Sequence, residues 1–125
     1  MITKEITICN QPVTIGYCYS TEIAYRDLAD EDIHDFIQQV GSAVQNGRMP
    51  DPKKAILLIV ACMMAYYEDA DKAPVKDGDM MREATPVEIG TALGTILAMQ
   101  AEFYHVPAGE PKDKPEKGGK KRKNA

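Results

Sequence analysis

His34 and His105 are the only histidines in the chain. A protein-held metal needs further ligands, typically a second one three or four residues along the same helix, and neither histidine has one at that spacing. His34 lies between Ile33 and Asp35. His105 falls at the end of a predicted helix, where the helix dipole favours a cation. Asp69, Asp71, Asp77 and Asp79 crowd one stretch. A twelve-residue calcium loop, however, requires Gly at its sixth position and Glu at its twelfth, so the stretch reads as a solvated acidic loop. Ser42 follows Gly41 without the rest of a nucleophile elbow, and no glycine-rich phosphate loop occurs. Cys9, Cys18 and Cys62 match no zinc or redox spacing. Cys62 lies in an apolar run, where a thiol behaves as a small hydrophobe. Cys9 and Cys18 can be drawn facing each other across a hairpin, but reduced thiols are the simpler expectation. These residues predict no catalytic group, no metal ligand and no cofactor-binding residue.

Binding chemistry is better represented. Met63-Met64 and Met80-Met81 are flexible apolar pairs of the kind that suit adaptable surfaces. The first pair falls in an apolar run and reads as core. The second falls in a charged stretch and reads as an interaction candidate. Gly90, Gly94 and Ala98 recur every fourth residue in a predicted helix. Glycine there costs roughly 1 kcal/mol relative to alanine, so the stripe predicts close approach of a neighbour, either the central helix or a second copy of the chain. The last charge-bearing feature is a lysine-rich end that could meet phosphates.

The elements that must carry these residues follow from periodicity. Ile2, Ile6 and Ile8 alternate with polar residues, and so do Val13, Ile15, Tyr17 and Tyr19 after Asn10-Gln11-Pro12. This predicts an antiparallel hairpin with one apolar face, which helices must cover. Ser20 or Thr21 caps a short helix carrying Ile23, Tyr25 and Leu28. A second helix starts at Asp30, bears Ile33, Phe36, Ile37, Val40, Ala43 and Val44 on one stripe, and ends at Gly47. Asp51-Pro52 starts a third, apolar on nearly every side from Ala55 to Tyr67 and therefore central. Residues 69–84 read as a surface loop. Thr85-Pro86-Val87-Glu88 is a capping box opening a last helix that runs to about Tyr104. The expected fold is α+β and mainly α: an N-terminal β-hairpin packed on a bundle of about four helices. It occupies one globular domain over residues 1–106, with a disordered basic tail over 107–125.

The chain has 125 residues, a net charge of −4 and no tryptophan. Seven basic and three acidic residues follow Val106, so that end is +4 and the rest is −8. An acidic body argues against a nucleic-acid face on the fold, leaving only the tail for that role. Met1-Ile2-Thr3-Lys4-Glu5 holds no apolar signal core, and the longest apolar run is short of the roughly 20 residues a membrane helix needs. A cytoplasmic protein of a reducing compartment is expected.

Val13-Thr14-Ile15-Gly16-Tyr17, Glu22-Ile23-Ala24-Tyr25 and Asp30-Glu31-Asp32-Ile33 resemble the opening of tail assembly chaperones from phages and prophages of gut Bacteroides. Glu83-Ala84-Thr85-Pro86-Val87-Glu88-Ile89-Gly90 and Glu102-Phe103-Tyr104-His105-Val106-Pro107 are similar to the closing part of the same group. The resemblance spans most of residues 3–110 and rests on overall pattern. It implies a non-enzymatic role in a bacterial host cell: binding the phage tape-measure protein and assisting assembly of the tail tube protein. It also implies a longer frameshifted product, for which Gly119-Lys120-Lys121 is a candidate place. No catalytic residue carries over. The competing reading is a small phage or mobile-element regulator that contacts nucleic acid through its basic tail.

Overall fold

β1 (Ile2–Ile8) and β2 (Gln11–Tyr17) form a two-stranded antiparallel sheet, with Ile2 opposite Tyr17 and Ile8 opposite Gln11. The computed structural model describes residues 1–105. The expected tail over 107–125 and its frameshift site lie outside the described residues. The strands are joined by Cys9 and Asn10 alone, with φ of 53° and 64°. Two positive φ values match the twist of a tight hairpin. The turn is therefore one position earlier than Asn10-Gln11-Pro12. Pro12 belongs to β2 opposite Thr7, next to the loop-closing pair. That is a non-hydrogen-bonded position, so its missing N–H costs the ladder nothing. Cys9 stands at one end of the hairpin and Cys18 beyond the other, so the two do not face across it; all three cysteines are free thiols.

Ile6, Ile8, Val13, Ile15 and Tyr17 form the buried face of the sheet. Tyr19, expected to continue that face, instead begins a helix and is 64% exposed. Among the described residues five α-helices follow: α1 (Tyr19–Ala29), α2 (Ile33–Gln45), α3 (Pro52–Tyr67), α4 (Asp77–Glu83) and α5 (Pro86–Phe103). α3 lies under β2 and α5 under β1, while α1 packs on α3. This is the expected hairpin on a mainly helical body.

Several boundaries differ from expectation for identifiable reasons. Cys18, not Ser20 or Thr21, is the N-cap of α1. The Thr21 hydroxyl accepts from Cys18 N at 3.2 Å and donates to Gly16 O at 2.9 Å, tying the helix to the end of β2. Tyr25 is buried on α1, but Ile23 and Leu28 are exposed. Asp30 closes α1 in a left-handed conformation, and Asp32 caps α2 by accepting from His34 N at 2.8 Å. Ile33, Phe36 and Val40 are buried, whereas Val44 is exposed: only the first half of the α2 stripe meets the body. Gly47 has φ of 67°, and Arg48 N donates to Ala43 O at 2.8 Å, the left-handed ending expected of a glycine there.

α3 is the center of the core. Asp51 Oδ1 accepts from Lys53 N at 2.9 Å, Pro52 occupies the first turn, and Leu58, Ile59, Ala61, Cys62 and Met63 are buried. Tyr67, at its end, packs partly buried against the core. Its hydroxyl accepts from Thr14 N at 3.3 Å, satisfying an outward-pointing amide of β2. Residues 69–84 are not a simple surface loop. They contain a 3-10 turn (Ala70–Lys72) and α4, and Ala73, Val75 and Met80 are buried. The charges concealed this because the apolar residues are too few to make a stripe. α5 opens with the expected capping box, Glu88 N donating to Thr85 Oγ1 at 3.2 Å and Thr85 N to Glu88 Oε1 at 3.1 Å.

Candidate partner-binding site

Met80 and Met81 sit side by side on α4 but face differently. Met80 is 2% exposed and Met81 53%. Between α4, the start of α3 and the start of α5 opens an apolar cleft of about 310 Å3, lined chiefly by Met49, Pro50, Ile56, Met80, Met81 and Ile89. No charged side chain lines it. Met49 is 54% exposed at its rim. The wall carried by α4 is held by its N-terminal turn. Lys76 Nζ donates to Ala73 O at 2.7 Å and to Asp71 O at 2.5 Å, while Lys76 N donates to Asp79 Oδ2 at 3.1 Å. Asp79 in turn meets Arg82 at 3.2 Å. Thioether side chains on a fixed frame form a surface that can reshape around an apolar guest while the backbone stays put.

The sequence singled out Met80 and Met81, and the structure brings them together at this cleft. It missed Met49, Pro50, Ile56 and Ile89, which come from three other segments. An apolar Met-Pro pair directly before a helix cap was the only local sign. The Gly90, Gly94 and Ala98 stripe is elsewhere. All three residues are exposed, and a Cβ placed on Gly90 or Gly94 would meet nothing within 4 Å. The stripe does not pack on the central helix, because α5 turns Ile89, Leu93 and Ile96 toward the body instead. His105 is exposed with φ of 54° just past α5.

A second cluster was invisible in the sequence. Glu22 Oε2 accepts from Tyr17 OH at 2.7 Å and from Tyr104 OH at 2.5 Å, and His34 Nε2 lies 3.6 Å away. Gln100 Nε2 is 3.0 Å from His34 Nδ1. Burial first, then the bond to Glu22, pushes the Tyr17 phenol far above its ordinary range. The bond to Glu22, then burial, pushes Tyr104 up to about 12. Both phenols are thus held neutral as donors, and both His34 nitrogens face partners. The group ties α1, α2 and α5 together at one corner, beside a cleft of about 300 Å3. Its hydrogen-bonded partners are up to 82 residues apart in sequence.

Glu88 also does more than cap. Its Oε1 accepts from Cys9 N at 3.1 Å and its Oε2 from Asn10 N at 3.0 Å, so one carboxylate closes a helix and clamps the hairpin turn. The Asn10, Thr85 and Cys9 bonds hold its carboxyl below the ordinary carboxylate range against a small opposing effect of burial.

Among the described residues no three His, Cys, Asp or Glu side chains gather as a metal site would require, and no helix is long and apolar enough to cross a membrane. No known protein family, curated protein or solved structure matches this chain.

Proposed function

We propose that the protein is a non-enzymatic phage or prophage tail assembly chaperone, working in the host cytoplasm, which holds apolar helical segments of the tape-measure protein and so assists assembly of the tail tube protein around it. The observation that carries this reading is the uncharged, methionine-lined cleft between α3, α4 and α5. A tape-measure protein is long and rich in apolar helices, and a groove of flexible thioethers accepts many such faces without strict sequence demands. The acidic body supports the same role by keeping a sticky complex soluble. The resemblance in overall pattern, over most of residues 3–110, to such chaperones points the same way.

The test is co-expression with the tape-measure protein from the neighbouring gene. The wild-type chain should keep that protein soluble and co-purify with it, and Met81→Asp should abolish both while leaving the fold intact. Co-purification undiminished by Met81→Asp would overturn the cleft as the site. A gene neighbourhood without a tape-measure protein, together with salt-dependent DNA binding by the full chain, would favour the nucleic-acid regulator instead.

A further inference from the structure

The two edges of the hairpin are treated differently. In β2, the outward amide of Thr14 donates to Tyr67 OH, and the outward carbonyl of Gly16 accepts from Thr21. In β1 the outward-pointing backbone groups belong to Thr3, Glu5 and Thr7, which face β2 as non-hydrogen-bonded pairs. Among the described residues no side chain or backbone group meets them. Beside this open edge runs a groove of about 340 Å3, with Glu5 and Thr7 on one bank and Val87, Thr91 and Thr95 on the other. The α5 bank is unusual for a surface helix. From Ile89 to Ala101 it carries no charge, although Gly90, Thr91, Gly94 and Ala98 are exposed, and Val87 is 78% exposed.

We propose that this groove receives an extended segment of a partner protein, added to β1 as a third strand. The main chain of the segment would pair with Thr3, Glu5 and Thr7. Alternate side chains would point down onto Val87, Thr91 and Thr95, which calls for apolar residues there. The intervening side chains would lie beside Glu5. Glu5 and Glu88 are the only charged residues lining the groove, and no lysine or arginine lines it, so a basic residue opposite Glu5 is the complementary choice. A second copy of this chain does not fit. Packed helices lie about 8–10 Å apart, whereas paired strands lie only about 4.8 Å apart. With α3 under β2 and α5 under β1, α5 already fills the space beneath the third-strand position. A second hairpin would bring its own α5 into that space, whereas a lone strand needs only the groove. This site is separate from the methionine cleft and does not rest on the chaperone reading.

The probe is a blocked peptide, Thr-Val-Lys-Val-Thr-Val, added to the full chain at about 1 mM, enough to reveal a marginal contact. Backbone amide exchange is read residue by residue. The amides of Thr3, Glu5 and Thr7 should exchange fast in the free chain and about tenfold slower with peptide. The same peptide with proline at alternate positions, unable to donate along the strand, should give no slowing. Thr91→Lys, at an exposed position that leaves the fold intact, should abolish it. Unchanged exchange at these amides, equal slowing by the proline peptide, or full slowing in Thr91→Lys would each overturn the proposal. So would slowing that appears without peptide and grows with protein concentration, which would make a second copy the occupant.

Discussion

The two ends of α5 teach opposite lessons. At its C-terminal end, Gln100 and Tyr104 join Tyr17, Glu22 and His34 in a corner where each polar group finds a partner. At its N-terminal end, Pro86 and Ile89 border a cleft where methionines stand partly uncovered. A polar group withdrawn from water without a partner costs about 1–3 kcal/mol, so the first region answers the demands of folding. An exposed thioether contributes little to the folded state, so the second is free to serve binding. The comparison is that of a fastener with a socket on the same helix.

The largest effect should come from what both regions lean on. Ile59→Ala in α3, fully buried, should cost on the order of 2–5 kcal/mol in equilibrium denaturation. A loss below about 0.5 kcal/mol would mean that the central helix is not the common support. Next is the fastener itself. Glu22→Leu strands the buried Tyr17 hydroxyl and should destabilise by about 1–3 kcal/mol. Tyr17→Phe together with Glu22→Leu should recover part of that loss, since no unpaired group then remains. The socket should behave differently. Met81→Asp should change stability by less than about 0.5 kcal/mol yet remove the binding proposed for the cleft. A large loss of stability would show that the cleft is core after all, and the contrast would collapse.

Smaller still is Gly94→Leu, midway between the two ends. The position is open, and leucine is the better helix former, so a gain of up to about 1 kcal/mol is expected with no steric penalty. A change in size-exclusion volume would reveal that the small-residue stripe meets a second copy. The pH dependence is the finest probe. The Tyr104 phenol is raised from its ordinary value of 10 to about 12, so its share of the fastener is fully present below pH 10 and lost between about pH 10 and 12. Glu88 is shifted the other way. Its contribution is present above the ordinary carboxylate value and lost as pH falls through and below it. Thermal melts of Tyr104→Phe should therefore lose part of the alkaline dependence, the rest staying with Tyr17, and those of Glu88→Gln part of the acid dependence.

Local chemistry in the chain determined the hairpin, the long helices and the caps of α3 and α5. Asp51-Pro52 and Thr85-Pro86-Val87-Glu88 place their own helix ends because a cap is an interaction over three residues. The run Ala55–Tyr67 announced a central helix because burial on all sides leaves no room for a polar face. Met80 and Met81 stood out in the sequence as a flexible apolar pair, and both line the cleft, Met80 buried and Met81 exposed. What the tertiary structure alone decided is everything that joins distant segments. It paired Glu22 with Tyr104, aimed Glu88 at the Cys9-Asn10 turn, and assembled Met49, Ile56, Met81 and Ile89 around one cleft. It also turned the Gly90, Gly94 and Ala98 stripe outward. A helical repeat states which residues share a face, but only the packing of α5 against β1 and α3 decides which of its faces is buried.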